Sequence, residues 1–226
     1  MSDDQHFCVV FGPENVSAGT RAALLKETQW QPGDEIKVSF LGGDPGLQDR
    51  VVAAAKEWTG PEMANLTLQF VTSGADIRIA FGPDKGSWSY LGTVCQQIPK
   101  PEPTMNYGWL TPDSSDDEVG RVVRHEFGHA LGLIHEHQNP DTPIAWNRAA
   151  VIASLSGPPN NWPLSVIENN IFHREDPAAL SGTPTDKSSI MMYPIPSSWT
   201  TDGFSAGLNT DLSETDRSFI RAAYPW

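Results

Sequence analysis

His125, Glu126, His129, Gly132 and His135 fall within the eleven-residue run HEFGHALGLIH. Imidazoles hold divalent metals, and a carboxylate beside them can move a proton, so this run carries the materials of metal-assisted hydrolysis. His125 and His129 are four residues apart, which on a helix places both rings on one face, where they can share an ion. His135 can join them only if the helix stops. Six further helical residues would carry it about 9 Å along the axis and about 240° around it. Gly132 supplies the stop, because glycine tolerates the left-handed conformation that ends a helix and reverses the chain. Three neutral imidazoles with one position left open is the ligand set of a catalytic zinc site, whereas structural zinc usually takes four protein ligands and often cysteine. Glu126, next to the first ligand, is placed to take a proton from a water activated by the ion.

The rest of the chain bounds where such a site could sit. At 226 residues it is long enough to bury a substantial core. With 19 Gly and 19 Pro, much of it should run in loops. A formal charge of −13 and the lack of any Lys/Arg cluster disfavour a nucleic-acid partner. No apolar run approaches the length of a membrane-spanning helix. The opening MSDDQHFCVVFGPEN is acidic with a short apolar stretch, and as it stands it is no signal peptide. The compartment is left open, secretion included. Cys8 and Cys95 are the only cysteines and lie in no CxxC spacing. They could form one disulfide or stay as buried thiols, and Cys8 as a thiolate ligand to zinc is the less favoured alternative.

The elements that must position the histidines can be read in order. Residues 1–33 read as an N-terminal extension, with a short strand at Phe7–Phe11 and a helix at Ala18–Thr28. Glu35–Leu41 alternates as a strand. A helix then runs to Trp58, with Asp44 as its cap and Pro45 in its first turn. Leu66–Val71 and Asp76–Phe81 read as strands, and Trp88–Val94 and Thr104–Leu110 as strands or extended segments. Ser115 or Asp116 starts the helix carrying His125 and His129. The acidic run from Asp113 to Glu118 could take calcium, but a capped, acidic helix N-terminus explains it more simply. Beyond His135, short helices are expected near Asn147–Ser154 and Leu164–Phe172. A capping box from Ser213 to Asp216 opens a last helix, Glu214–Tyr224. Strands and helices in this order indicate an α+β fold built around a zinc cleft.

With HExxHxxGxxH met at every fixed position, the chain resembles the metzincin superfamily of zinc peptidases. Ser189-Ile190-Met191-Met192-Tyr193, following Asp186, resembles the Met-turn of its astacin branch, S-x-M-x-Y. The resemblance implies a mixed, mostly parallel twisted sheet with the active-site helix above the cleft and a helical C-terminal subdomain below it. It implies one catalytic domain over residues 34–226, with an upper part to residue 135 and a lower part from 136. Met191 would form a hydrophobic floor under the metal, and Tyr193 would be a labile zinc ligand able to swing to the reaction's oxyanion. Gly86–Val94 would be the cleft's edge strand, able to bind an extended peptide by strand addition.

There are departures from the astacin pattern. Glu136 follows the third His as in astacins, where it binds the mature N-terminus, yet here about 33 residues precede the first strand of the implied domain. The basic and acidic cluster that usually comes next is replaced by Gln138-Asn139-Pro140-Asp141, the two-disulfide pattern is missing, and Met192 stands where a His is common. The expected function is zinc-dependent endopeptidase action on protein or peptide substrates, with Glu126 as general base. The alternative is a zinc-holding latent or non-proteolytic binding module on the same fold.

Overall fold

The computed structural model describes residues 6–11, 28–83, 86–139, 144–174 and 185–226. The helix expected at Ala18–Thr28 lies outside the described residues, apart from Thr28 in a turn. Strands are β1 (Val9–Phe11), β2 (Glu35–Phe40), β3 (Thr67–Phe70), β4 (Ile77–Ala80), β5 (Trp88–Tyr90) and β6 (Met105–Asn106). Helices are α1 (Pro45–Ala55), α2 (Asp116–Ala130), α3 (Arg148–Leu155), α4 (Leu164–Ile167) and α5 (Glu214–Ala223).

The strands form one sheet in the order β1-β5-β6-β4-β2-β3, in which the β5–β6 pairing alone is antiparallel. The alternation in EIKVSF buries Ile36 and Val38 completely, and β2 pairs with both β3 and β4. Asp44 caps α1 by accepting a hydrogen bond from the Leu47 amide at 3.0 Å. Leu47, Val51, Ala54 and Ala55 form its buried stripe, and a 3₁₀ turn, Lys56–Trp58, sets Trp58 in the core. The Trp58 indole donates to the Arg124 carbonyl at 2.9 Å, tying α1 to the helix that carries the histidines.

Each expected strand is trimmed at one or both ends, and two are cut by more than half. After Tyr90 the chain leaves the sheet for a 3₁₀ turn, Gly92–Gln97, because Gly92 has φ +50° and lies against the Thr28 carbonyl. The amide of Thr93 donates to that carbonyl. The segment Thr104–Leu110 keeps only β6 in the sheet, and beyond Tyr107 the chain turns towards α2. The segment expected near Leu164–Phe172 forms α4 followed by a π-helical turn, Glu168–Phe172.

Among the described residues two large apolar cores result, beside a small cluster of Leu91, Val10 and Ile134. The first lies between the sheet, α1 and α2, around Trp58, Ile36, Val123 and Phe127, and takes in Ile190, Met191 and Tyr224 from the C-terminal region. The second gathers Val151, Leu155, Ile167, Ile171, Met192, Tyr193 and Trp199, together with Phe7 from the other end of the chain. Among the described residues no helix is long and apolar enough to cross a membrane.

Candidate metal centre

Ser115 caps α2, its hydroxyl accepting from the Glu118 amide, and Asp116, Asp117 and Glu118 fill the first turn, where the helix dipole favours acids. Asp116 also pairs with Arg50 at 2.8 Å. At the other end Gly132, with φ +95°, completes a Schellman motif. The Leu133 amide donates to the Gly128 carbonyl at 2.9 Å and the Gly132 amide to the His129 carbonyl at 2.8 Å. Other last-turn carbonyls are met by side chains. The Trp30 indole donates to Ala130 at 2.9 Å and the Tyr224 hydroxyl to Leu131 at 2.6 Å. The reversal returns the chain along the helix and brings His135 back beside His129.

The three histidines converge, each offering a ring nitrogen, with these ligand atoms within 4.8 Å of one another. His125 Nδ1 lies 2.8 Å from the Ile190 carbonyl and His129 Nδ1 lies 2.8 Å from the Leu133 carbonyl. A carbonyl only accepts, so both Nδ1 atoms carry the proton and both Nε2 atoms keep a lone pair. His125 Nε2 has no hydrogen-bond partner, and His129 Nε2 faces His135 Nε2 at 3.1 Å. Ligands sharing a tetrahedral zinc at roughly 2.05 Å stand about 3.3 Å apart, so the donor set fits such an ion. Burial pushes His129 down to about 4 and drives His125 and His135 well below the ordinary histidine range. All three are thereby held neutral, the state a metal requires.

Glu126 is fully buried and both its oxygens lack hydrogen-bond partners. Burial raises its carboxyl to about 8. An unsatisfied buried carboxyl is costly, and this one belongs to the residue next to His125, one of three histidines that could hold a metal ion.

Met191 lies under α2 where a side chain at Gly128 would collide with it. A Cβ there would come within 2.3 Å of the Met191 sulfur. The turn is anchored to α5. Asp216 accepts from the Ser189 hydroxyl at 2.6 Å and the Ile190 amide at 2.8 Å while closing the capping box with Ser213. The Ile190 carbonyl that orients His125 is therefore itself fixed by the last helix. Glu136 accepts from the Asp186 amide at 2.9 Å, and so braces this same turn. His137, two residues beyond His135, is buried. Its Nε2 meets the Asn170 carbonyl at 2.8 Å, and its ring lies 4.8 Å from that of Tyr193.

The N-terminal residues hold what sequence reasoning missed. Strand β1 lies parallel to β5, Val9 opposite Trp88 and Phe11 opposite Tyr90, so the expected cleft edge already carries an added strand. Cys8 and Cys95 are both buried free thiols, which settles the disulfide alternative against pairing. The Tyr193 ring lies 4.2 Å from that of His135, but its hydroxyl donates to the Cys8 carbonyl. The Cys8 thiol sits near enough to Glu126 to perturb it, without a hydrogen bond of good geometry. Burial, then the Glu126 charge, push the thiol well above its ordinary value. An apolar run in an acidic leader is the only sequence signal for this placement. Gly128 had a signal too, as a helix-interior glycine whose cost of about 1 kcal/mol calls for a reason.

A mostly parallel sheet, a histidine-bearing helix and three neutral imidazoles around one point define the fold and site of a metallopeptidase. Comparisons agree. One solved structure of myroilysin, a metallopeptidase, shares 44% identity at a TM-score of 0.85, covering 89% of this chain and 98% of the other. A second myroilysin structure shares 41% identity at a TM-score of 0.72, covering 97% and 90%. The chain belongs to the myroilysin family. Comparison with protein-family models gives no match, and comparison with curated proteins gives none either.

Proposed function

We propose that this protein is a zinc-dependent endopeptidase, an astacin-like metzincin with its catalytic domain over residues 34–226. The observation that carries the proposal is the meeting of three neutral, buried imidazoles with an unpartnered buried carboxylate, Glu126. A pure binding site has no use for a proton acceptor there. His125, His129 and His135 would hold the ion, with Gly132 making the reversal and Met191 forming the floor. When bound, zinc supplies Lewis acidity to the scissile carbonyl and acidifies a nearby water.

Glu126 takes the proton of the water that attacks the carbonyl carbon and delivers it to the departing amine nitrogen. Burial alone raises the Glu126 carboxyl to about 8, and a bound dication would favour its charged, proton-accepting form. The Tyr193 hydroxyl, once free of the Cys8 carbonyl, donates to the carbonyl oxygen as negative charge develops on it. Strand β5 pairs with the substrate backbone. The test is a mixed peptide library incubated with the zinc-loaded protein, cuts mapped by mass spectrometry, and Glu126→Ala run alongside. Cuts made by the wild type alone support the proposal; equal cutting by both removes Glu126 from its role.

A second reading concerns state and rests on the same residues. With Cys8 against Glu126, its carbonyl on Tyr193 and β1 on β5, residues 6–11 occupy the positions a substrate needs, which is a latent arrangement. Cys8→Ala in the full chain is expected to raise peptide hydrolysis several-fold. A rate unchanged from wild type, with metal bound, overturns the latency.

A further inference from the structure

Phe7 directly precedes Cys8, and its ring is buried in the second core. It stacks on Trp199 at 5.3 Å and meets Tyr193 edge-on at 5.4 Å and Trp162 edge-on at 6.3 Å. Tyr193 is a shared wall, since its other neighbours include His135 at 4.2 Å and His125 at 5.9 Å. Successive residues of an extended segment project to opposite sides about 3.3 Å apart. With Cys8 against Glu126, a side chain one residue away therefore enters the aromatic box.

The box stands on held backbone. The Trp162 amide donates to Leu155 at 2.8 Å, the Trp199 amide to Pro196 at 2.9 Å, and the Asn147 amide to the Trp199 carbonyl at 2.8 Å. Its core neighbours Val151, Leu155 and Ile167 are fully buried and carry no charge, so an ionised side chain entering it would lose its hydration unpaired. The grips on either side are of another kind. Asn160 Oδ1 accepts from the Phe7 amide and Asn170 Oδ1 from the Val10 amide, both at 3.1 Å. Those contacts hold any extended backbone, whereas the box reads a side chain.

We infer that the box formed by Trp162, Tyr193 and Trp199 is the specificity pocket, and that it takes an aromatic or large aliphatic side chain of a protein substrate, one residue from the scissile bond. Phe7 fills it in the substrate's place. This inference rests on the peptidase reading and names its substrate class. Burying a Phe-sized side chain there is favourable by the usual transfer of apolar area, and ring-on-ring geometry adds to it.

The test uses the full chain, zinc-loaded, carrying Cys8→Ala and Phe7→Ala so that the box is open. Cuts in a mixed peptide library are mapped by mass spectrometry, and folding is checked by circular dichroism. One fixed position flanking the cut is expected to be enriched about ten-fold in Phe, Tyr, Trp, Leu and Met. Adding Trp199→Ala should relax that enrichment several-fold while cutting continues. Cuts with a flat or charged preference at both flanking positions overturn the pocket and leave the peptidase standing. No cuts at all, with metal bound, sink the peptidase reading and the pocket with it.

Discussion

Glu126 and His129 stand one turn of helix apart and should fail differently. Glu126→Ala removes the proposed proton acceptor and leaves the three rings, so zinc content should stay near one per chain while kcat falls about 10³-fold, the weight of a general base. His129→Ala should lose the ion itself, read as zinc per chain by elemental analysis. Zinc retained by the His129 variant would mean that another ligand set holds it. Tyr193 sits between two roles, because its hydroxyl now faces the Cys8 carbonyl. With Phe, kcat should drop about 100-fold once the cleft is open, with KM little changed, as for loss of one oxyanion donor. An unaltered kcat in that variant would leave Tyr193 as packing alone.

The helix α2 and the turn beneath it form one mechanical unit, joined at Gly128 and at the His125–Ile190 contact, with Asp216 fixing the turn to α5. A Cβ at position 128 would meet the Met191 sulfur at 2.3 Å, a contact that only displacement can relieve. Gly128→Ala should cost about 1–3 kcal/mol in urea unfolding despite the better helix propensity of Ala, and should weaken zinc affinity as His125 loses its register on Ile190. Greater stability in the variant would mean that the turn yields freely. Asp216 has an opposite liability. Burial raises its carboxyl above 3.8, so the folded protein takes up that proton more readily than the unfolded chain. Its favourable contribution is therefore complete below the unfolded value and is lost as pH rises through the folded one. Asp216→Asn lacks this titration. Relative to wild type it should melt higher at pH 7 than it does at pH 4, and a constant difference between the two proteins across that range would refute the assignment.

At the scale of the molecule, the candidate metal site ties distant parts of the first core together, because its histidines come from α2 and the reversal while the carbonyl that orients His125 comes from the turn held by α5. The ligand set is assembled only in the folded chain, so zinc should stabilise it by mass action, about 2.7 kcal/mol at a hundred-fold excess over Kd. A chelator should lower the melting temperature by several degrees, with recovery on adding zinc back; a melting curve indifferent to both would separate the site from the fold. Residues 6–11 complete this picture. They add a strand to β5, a ring to the second core and a carbonyl to Tyr193.

What could be read from the chain alone was local. Caps at Asp44, Ser115 and Ser213, the i,i+4 pair of histidines and the glycine reversal all depend on residues within one or two turns of each other, where spacing fixes geometry. For that reason the order of strands and helices and the convergence of the three imidazoles were legible in the sequence. Strand lengths after Tyr90 were not, because Gly92 turns away to meet Thr28, some 64 positions earlier. Nor was the path of the N-terminus. Cys8 near Glu126, Phe7 in the aromatic box and Asp216 under Ser189 join residues 27 to 192 positions apart, and no periodicity encodes such meetings. They follow from how the two cores close on each other. The three histidines that could hold a metal were thus written in eleven consecutive residues, while what lies against them was decided by the packing of distant apolar surface.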